Sequence, residues 1–153
     1  MKKHIVFLVL IVVLSACTLS AESKDDAEIR SLIRAFTAAA NALDLDRTMA
    51  CYADTPDVSV FSPGPSGPVV GLAAVRKNWS DFFALLKSNH SELSDIAIES
   101  DGRLAFAYFT TTEEITMKDG TWVKPSFRST MIYQRINGHW LIIHEHKSEP
   151  REK

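Results

Sequence analysis

The sequence has few of the features that stabilise or identify a small protein by themselves. It contains two cysteines in 153 residues, and only Cys51 lies beyond the N-terminal segment, so no disulfide framework supports the fold. It has no basic run, and its formal net charge is −2 at pH 7. A mildly acidic chain of this kind offers no electrostatic footprint for nucleic acid. We therefore expect a domain that depends on its hydrophobic core and has no nucleic-acid partner.

Long apolar runs are also absent beyond the N-terminus, where residues 5–14 form a single short one. Lys2 and Lys3 precede this run, and the tetrapeptide Leu-Ser-Ala-Cys that finishes at Cys17 closes it. A basic start, a short apolar run and small residues at a cleavage point are typical of a secretory signal. A transmembrane anchor is the weaker alternative, because ten helical residues cover about 15 Å of roughly 30 Å of hydrocarbon.

A cysteine directly after Leu-Ser-Ala resembles the lipobox of bacterial lipoprotein precursors. The resemblance implies that residues 1–16 are removed and that Cys17 becomes N-terminal and lipidated, which leaves 137 residues with a formal charge of −4. It places the protein at the cell envelope, anchored to the membrane by lipid. Thr18 rather than aspartate follows Cys17, which in a Gram-negative cell favours the periplasmic side of the outer membrane. A plain secretory signal with an accidental cysteine is the remaining alternative.

The rest of the chain predicts helices first and strands afterwards. Residues 17–24 are small and polar and suit a tether, and apolar residues recur at helical spacing over residues 25–41. Asp44 is expected to cap a short second helix, and residues 73–87 to form a third. Cys51 lies in an apolar helical context, so we expect a buried, inert thiol.

Three Asx-Gly turns separate the predicted strands of the second half. These turns, at Asp101, Asp119 and Asn137, divide strands at residues 93–99, 104–117, 122–136 and 140–147. A further short strand is expected at residues 58–61, before the proline-rich loop 62–68. The pattern predicts an α+β fold in which about three N-terminal helices cover one face of an antiparallel sheet.

Several motifs make the chain similar to the SnoaL-like branch of the nuclear transport factor 2-like superfamily. They are Cys51-Tyr52-Ala53-Asp54, Gly71, Arg128-Ser129-Thr130, Asn137-Gly138-His139-Trp140 and the closing segment 144–150. The resemblance implies a domain over residues 25–150, shaped as a cone by a strongly curved antiparallel sheet, and homodimers are common among such domains. It implies no cofactor. Members include isomerases, dehydratases and non-catalytic proteins, so the fold alone does not give the chemistry.

The resemblance also allows one activity to be tested on the sequence. Ketosteroid isomerases of this superfamily use an aspartate base and a tyrosine that stabilises the enolate. The matching positions hold Ser62 and Phe36. A hydroxyl does not serve as a carboxylate base near neutral pH, and a phenyl ring has no proton to donate. Steroid isomerisation by that mechanism is therefore not expected.

The candidate catalytic residues are His144, His146 and Arg128. Histidine titrates near neutral pH, and arginine can hold a carboxylate or a developing oxyanion. Strict alternation from a two-residue turn places both histidines on the face opposite Arg128, whereas a longer loop or a bulge brings the three together. The structural alternative is that the histidines satisfy nearby polar groups and that Arg128 pairs with Glu113 or Glu114.

Three further side chains are candidates for the wall of a ligand pocket. Tyr108, Trp79 and Thr130 are the candidates for a ligand pocket, with core packing as the alternative for the two aromatic residues. A zinc site at His144 and His146 is not expected, since no further histidine or cysteine lies at a useful spacing. The sequence therefore predicts a lipid-anchored domain with an apolar pocket for a small organic molecule and histidine-assisted proton transfer or hydrolysis. The alternative is a non-catalytic module for dimerisation or partner binding.

Overall fold

The computed structural model describes residues 23–64 and 67–150. The predicted signal peptide, the lipidation at Cys17 and most of the tether lie outside the described residues. The helices are α1 (Lys24–Asn41), α2 (Leu45–Met49) and α3 (Leu72–Leu85). The strands are β1 (Ser59–Phe61), β2 (Val69–Val70), β3 (Leu86–Ser100), β4 (Leu104–Met117), β5 (Trp122–Val123), β6 (Ser126–Ile136) and β7 (His139–Ser148).

Short polar side chains fix the starts of the first two helices. The Ser23 hydroxyl accepts a hydrogen bond from the backbone N–H of Asp26, and the Asp44 carboxylate accepts one from that of Arg47. Each bond satisfies a helical N–H that has no partner within the helix. The expected cap at Asp44 is confirmed. No helix in the described part of the chain is long and apolar enough to cross a membrane.

Seven strands form one curled sheet, which confirms the α+β class. The main path runs β2-β1-β7-β6-β4-β3, and β5 pairs with β4 beyond it. All pairings are antiparallel except that of β1 with β7, so the sheet is mixed rather than antiparallel throughout. The parallel pairing arises because Tyr52 already bridges to Ile142 in parallel, and the chain continues into β1 along the same edge.

Two predicted strand boundaries differ from the structure for local reasons. The single strand expected over residues 122–136 is divided at Lys124 and Pro125, because proline has no N–H to give to a neighbouring strand. The Pro125 carbonyl still accepts the backbone N–H of Glu113 at 3.0 Å. At the other end of the sheet, β3 starts at Leu86, directly after α3, seven residues before the expected start.

The core lies between the helices and the concave face of the sheet. On α1, Ile29, Ile33 and Phe36 are buried, as their helical spacing predicts. On β4 the side chains alternate between buried and exposed, and the inward set runs from Ala105 to Ile115 in steps of two. Cys51 is buried, and burial raises the pKa of its thiol, which suits the expected inert state.

Candidate functional site

One extra residue in β7 decides which charged side chains face the cone. The hairpin of β6 and β7 starts as predicted, with Ile136 opposite His139 and Tyr133 opposite Ile142. The register then shifts, because Ile132 pairs with His144 and Ile143 has no partner. An unpaired residue in a strand reverses the alternation beyond it. Glu145 and Lys147 therefore point into the cone.

The same bulge brings the three candidate catalytic residues together, but on the outer face of the sheet. Thr130 pairs directly with His146, and Arg128 pairs with Ser148 on the same side. None of these side chains lines the cavity inside the cone. The strand positions of His144, His146 and Arg128 face away from this cavity, and their catalytic role stays a prediction.

Two of the three candidate pocket residues are also on the outer face. Tyr108 is opposite Thr130 in the pairing of β4 with β6, and it is 53% exposed. Trp79 alone of the three lines the interior cavity. The alternation of β4 explains the result for Tyr108, because its neighbours Ala107 and Phe109 occupy the inward positions.

The outer-face residues have local partners that account for their positions. Ser59 Oγ lies 2.9 Å from His144 Nδ1, and Phe61 presents a T-shaped contact to each histidine ring. Partial burial, and then the charge of neighbouring His146, lower the pKa of His144. Arg128 donates to the backbone carbonyl of Glu149 at 3.2 Å. The structural alternative, in which Arg128 pairs with Glu113 or Glu114, differs from the structure, where Lys147 and Lys124 pair with those carboxylates.

Inside the cone, three buried side chains form a hydrogen-bonded chain. Trp79 Nε1 donates to Tyr52 Oη at 3.0 Å, and Tyr52 Oη donates to Glu145 Oε2. Glu145 is 2% exposed. Burial raises the pKa of its carboxyl, and the charge of Lys147 and the Tyr52 hydrogen bond oppose that rise. The pKa of Tyr52 is raised too, by burial and by the negative charge of Glu145. The chain thus holds a buried carboxyl whose pKa lies above its usual range.

A second acidic side chain is neutralised beside the first. Glu113, on the inward face of β4, forms an ion pair with Lys147 on β7. The Lys147 ammonium also lies 5.3 Å from the centre of the Phe127 ring, within the range of a cation–π contact. Both members of the pair are largely buried, so each requires the other.

Two adjoining pockets lie inside the cone. We call them the inner chamber, of about 30 Å³ against Phe36 and Asn89, and the outer chamber, of about 190 Å³ against Ser62 and Glu145. Four side chains line both chambers: Trp79, Phe82, Glu113 and Lys147. The wall is largely apolar, with a few polar groups placed on it, as is typical of small-molecule sites.

The two positions compared with the ketosteroid isomerases both face this cavity. Phe36 lines the inner chamber and Ser62 lines the outer one. The location implied by the resemblance is therefore present, but without the aspartate and the tyrosine. Glu145 and Tyr52 supply a carboxyl and a phenol from other strands and loops. In residues 23–64 and 67–150, no group of three or more histidine, cysteine, aspartate or glutamate side chains is placed to hold a metal ion.

Sequence reasoning missed the polar residues of the site, namely Glu113, Glu145 and Lys147 in the cavity wall and Tyr52, which donates to Glu145. A signal existed for Glu113, since it continues the inward apolar series of β4. Glu145 and Lys147 gave none, because simple alternation assigns them to the opposite face from the buried Trp140 and Ile142. Glu145 and Lys147 share the face of Trp140 and Ile142 because Ile143 is unpaired, and the local sequence pattern does not predict that bulge.

Solved structures with the same fold agree with this architecture. A nuclear transport factor 2-like superfamily protein from Salmonella enterica serovar Typhimurium is 21% identical, with a TM-score of 0.77 over 83% of this chain and 92% of that one. A nuclear transport factor 2-like protein of unknown function from Pseudomonas putida is 27% identical, with a TM-score of 0.74 over 84% and 88%. A ketosteroid isomerase-like protein from Erwinia carotovora is 19% identical, with a TM-score of 0.73 over 85% and 99%.

No curated protein matches the chain with significance. The family comparison is more informative, because the model of the SnoaL-like domain matches residues 29–152, which is most of the chain and includes every element of the cavity. The chain belongs to the SnoaL-like domain family.

Proposed function

We propose that this domain binds an uncharged small organic molecule in its cavity and that Glu145 exchanges a proton with it. Domains of this family often bind small molecules and sometimes catalyse their conversion. The observation that carries the proposal is the buried Glu145 carboxyl, which lines the outer chamber while Tyr52 and Trp79 hold it in one orientation. A carboxyl whose pKa is raised by burial is suited to general acid or base chemistry nearer neutral pH.

The charge balance of the cavity favours an uncharged ligand. Glu113 and Lys147 neutralise each other, and the Glu145 carboxyl already accepts a hydrogen bond from Tyr52. A free carboxylate or ammonium on the ligand would lose its hydration without gaining an unpaired partner. Trp79 and Phe82 offer aromatic surface to both chambers, which suits a flat or ring-containing molecule.

The proposed step is a proton transfer in the outer chamber. The ionised Glu145 takes a proton from a carbon or oxygen of the ligand, and the released electron pair moves into the ligand. Lys147 lines the same chamber, where its positive charge stabilises the negative charge that develops. Tyr52 keeps the carboxyl fixed through the transfer, because its hydroxyl is itself held by Trp79.

The ring opening of nitrobenzisoxazole tests this step with an uncharged aromatic probe. A carboxylate base removes the ring C–H proton, the C–H electrons form a nitrile, and the N–O bond breaks to give a coloured phenolate. We expect Glu145→Gln to lower the rate of ring opening at least about tenfold, because an amide is not a base. The remaining rate should approach that given by a simple carboxylate in solution. The rate of the unmodified protein should rise with pH through the raised pKa of Glu145.

His144→Ala is the matched control, because it removes a titrating side chain on the other face of the same strand. Its rate should equal that of the unmodified protein. Loss of the rate in His144→Ala with no loss in Glu145→Gln would refute the proposal and return the chemistry to the histidines. Equal rates in all three proteins would show that Glu145 transfers no proton.

Ligand binding is tested separately, by native mass spectrometry of the purified protein. Ser62→Trp adds bulk at the rim of the outer chamber without touching the core, so a co-purifying small molecule should be lost in this variant. His144→Ala again serves as the control and should keep the bound mass. A bound mass that persists in Ser62→Trp but disappears in His144→Ala would place the site on the outer face instead.

A specific observation favours dimerisation as a second candidate function. The outer face exposes the apolar and aromatic side chains Leu104, Phe106 and Tyr108 along β4, and Phe61 on β1, which two strands separate from β4. The rings of Phe106 and Tyr108 stack at 6.4 Å. Exposed apolar patches of this kind are typical of protein contacts. Tyr108→Arg should convert a dimer to a monomer in analytical ultracentrifugation, and an unchanged sedimentation coefficient would count against this face.

The proposed location follows from the N-terminal motif and is independent of the cavity. Lipid on Cys17 would hold the domain at the membrane surface of the cell envelope, with ligands drawn from that compartment. Cys17→Ser should move the protein from the membrane fraction to the soluble fraction. Persistence of the variant in the membrane fraction would overturn the proposed anchor.

A further inference from the structure

A residue in the wall of the inner chamber has a buried hydrogen-bond acceptor without a partner in the part of the chain that the structure describes. Asn89, on β3, lines the chamber and is 8% exposed. Across the described residues, no donor lies within hydrogen-bond distance of its side-chain oxygen, Oδ1. Buried polar atoms in folded proteins are nearly always satisfied, so an acceptor of this kind indicates a group that comes from outside the chain.

The neighbouring hydrogen bonds fix which atom of the Asn89 amide is unpaired. On α1, the Asn41 Oδ1 accepts the backbone N–H of Ser91 at 2.8 Å, so this atom is an acceptor. The Asn89 atom that lies 3.2 Å from it must therefore be the donor, Nδ2. Nδ2 also donates to Ser91 Oγ at 3.2 Å. Both amide hydrogens are used inside the protein, and Oδ1 is the atom left over.

The surrounding wall supports the same interpretation. Two hydroxyl groups near Asn89 are engaged elsewhere, because Thr37 bonds to the Ile33 carbonyl at 2.9 Å and Thr111 to Ser129 at 2.8 Å. Much of the remaining wall is apolar, with Phe36 and Phe109 among the residues that line the chamber. Because Glu113 and Lys147 pair with each other in this wall, the Asn89 acceptor is suited to a molecule that brings a single donor.

We infer that the inner chamber is a recognition subsite for a hydroxyl or N–H group of the ligand, with Asn89 as the residue that determines specificity. The inference rests on the proposed function and adds the ligand class, an uncharged ring-containing molecule with a hydrogen-bond donor at one end. The donor binds Asn89 Oδ1 in the inner chamber, and the reacting end faces Glu145 in the outer one. A site built to pair a donor rejects analogues that lack it.

Binding of β-naphthol, its methyl ether and naphthalene tests the subsite by titration calorimetry on the full chain. The ether is slightly larger than naphthol and naphthalene is slightly smaller, and neither has a donor. We expect naphthol to bind about tenfold more tightly than either, as one hydrogen bond allows. Asn89→Leu keeps the branched shape and the number of side-chain heavy atoms and removes the acceptor, so this variant should bind all three with similar affinity.

Asn41→Ala is the matched control, because it breaks the bond to Asn89 Nδ2 but leaves the acceptor in the chamber. It should keep most of the preference for naphthol. If Asn89→Leu does not fold, nuclear magnetic resonance of the unmodified protein gives the same decision, since naphthol and not its ether should shift the Asn89 side-chain amide.

The outcomes separate this inference from the proposed function. Equal affinity of the unmodified protein for the three probes shows that water satisfies Asn89. This result overturns the subsite, although the cavity still binds the probes. A preference that survives in Asn89→Leu overturns it as well. Failure of all three probes to bind overturns both the subsite and the proposed binding of ring-containing molecules.

Discussion

Replacement of Tyr52 by phenylalanine should destabilise the fold far more than the loss of one oxygen atom suggests. The phenol is fully buried between Trp79 and Glu145, accepts the indole N–H and donates to the carboxyl. Phenylalanine keeps the ring and its T-shaped contact with Phe36, in which the ring centres are 5.8 Å apart. The variant therefore leaves no large cavity, and its cost comes from two polar groups that lose their partner.

The magnitude follows from those two groups. An unsatisfied buried donor at Trp79 costs about 1–3 kcal/mol, and the lost donor to Glu145 costs a similar amount, so the sum is roughly 2–6 kcal/mol. For a domain of this size each kcal/mol lowers Tm by about 3–5 °C, which gives a fall of roughly 6–30 °C. The fall should be larger at neutral than at acidic pH, because the Tyr52 bond lowers the pKa of Glu145 and its loss makes ionisation costlier.

The assay is urea unfolding followed by circular dichroism, with Tyr133→Phe as the matched control. Tyr133 is equally buried, but its hydroxyl meets only the Met131 sulfur, at 3.2 Å, which is a weak acceptor. Its loss should cost less than about 1 kcal/mol. Equal costs for the two variants, or a cost below about 1 kcal/mol for Tyr52→Phe, would refute the argument that this chain of hydrogen bonds is energetically linked.

Three further predictions concern charge and capping. Glu145→Gln should raise the free energy of unfolding at neutral pH. Burial raises the folded pKa of this carboxyl above 4.5, so the wild-type protein loses stability as pH rises through that range, whereas glutamine does not titrate. Equal stability of the two proteins near neutral pH would contradict this. Lys147→Met should cost about 3 kcal/mol in urea unfolding by leaving Glu113 without its partner, and adding Glu113→Gln should restore most of it. Asp44→Ala should cost about 1 kcal/mol by removing the α2 cap, a loss that Asp44→Ser should avoid.

The helices, the turns and most strands follow from local patterns, because each depends on neighbouring residues. The spacing of Ile29, Ile33 and Phe36 predicts the buried face of α1, and Asp44 predicts the start of α2. Asn137 and Gly138 both have positive φ, of 50° and 83°, as their hairpin turn requires. These features need no information from distant parts of the chain.

The site depends on contacts between distant residues, and so the sequence predicts it poorly. Tyr52 and Glu145 are separated by 93 residues, and their meeting depends on the parallel pairing of the chain near Tyr52 with β7. The choice between the faces of β7 depends on the unpaired Ile143, which nothing in the local composition marks. Periodicity places residues on faces only while the register is unbroken.

The residues that follow Ile143 in β7 form two sets of reactive side chains, which lie on opposite faces of the strand. With Ile143 unpaired, a glutamate and a lysine point toward the cavity while two histidines point outward; if Ile143 were paired, strict alternation would exchange the two sets. A deletion of Ile143 would remove the bulge and leave both sets on their present faces, because His144 would then follow Ile142 in regular alternation. The pairing of this one residue, with no substitution at any of the four positions, therefore decides whether carboxyl or imidazole groups face the cavity.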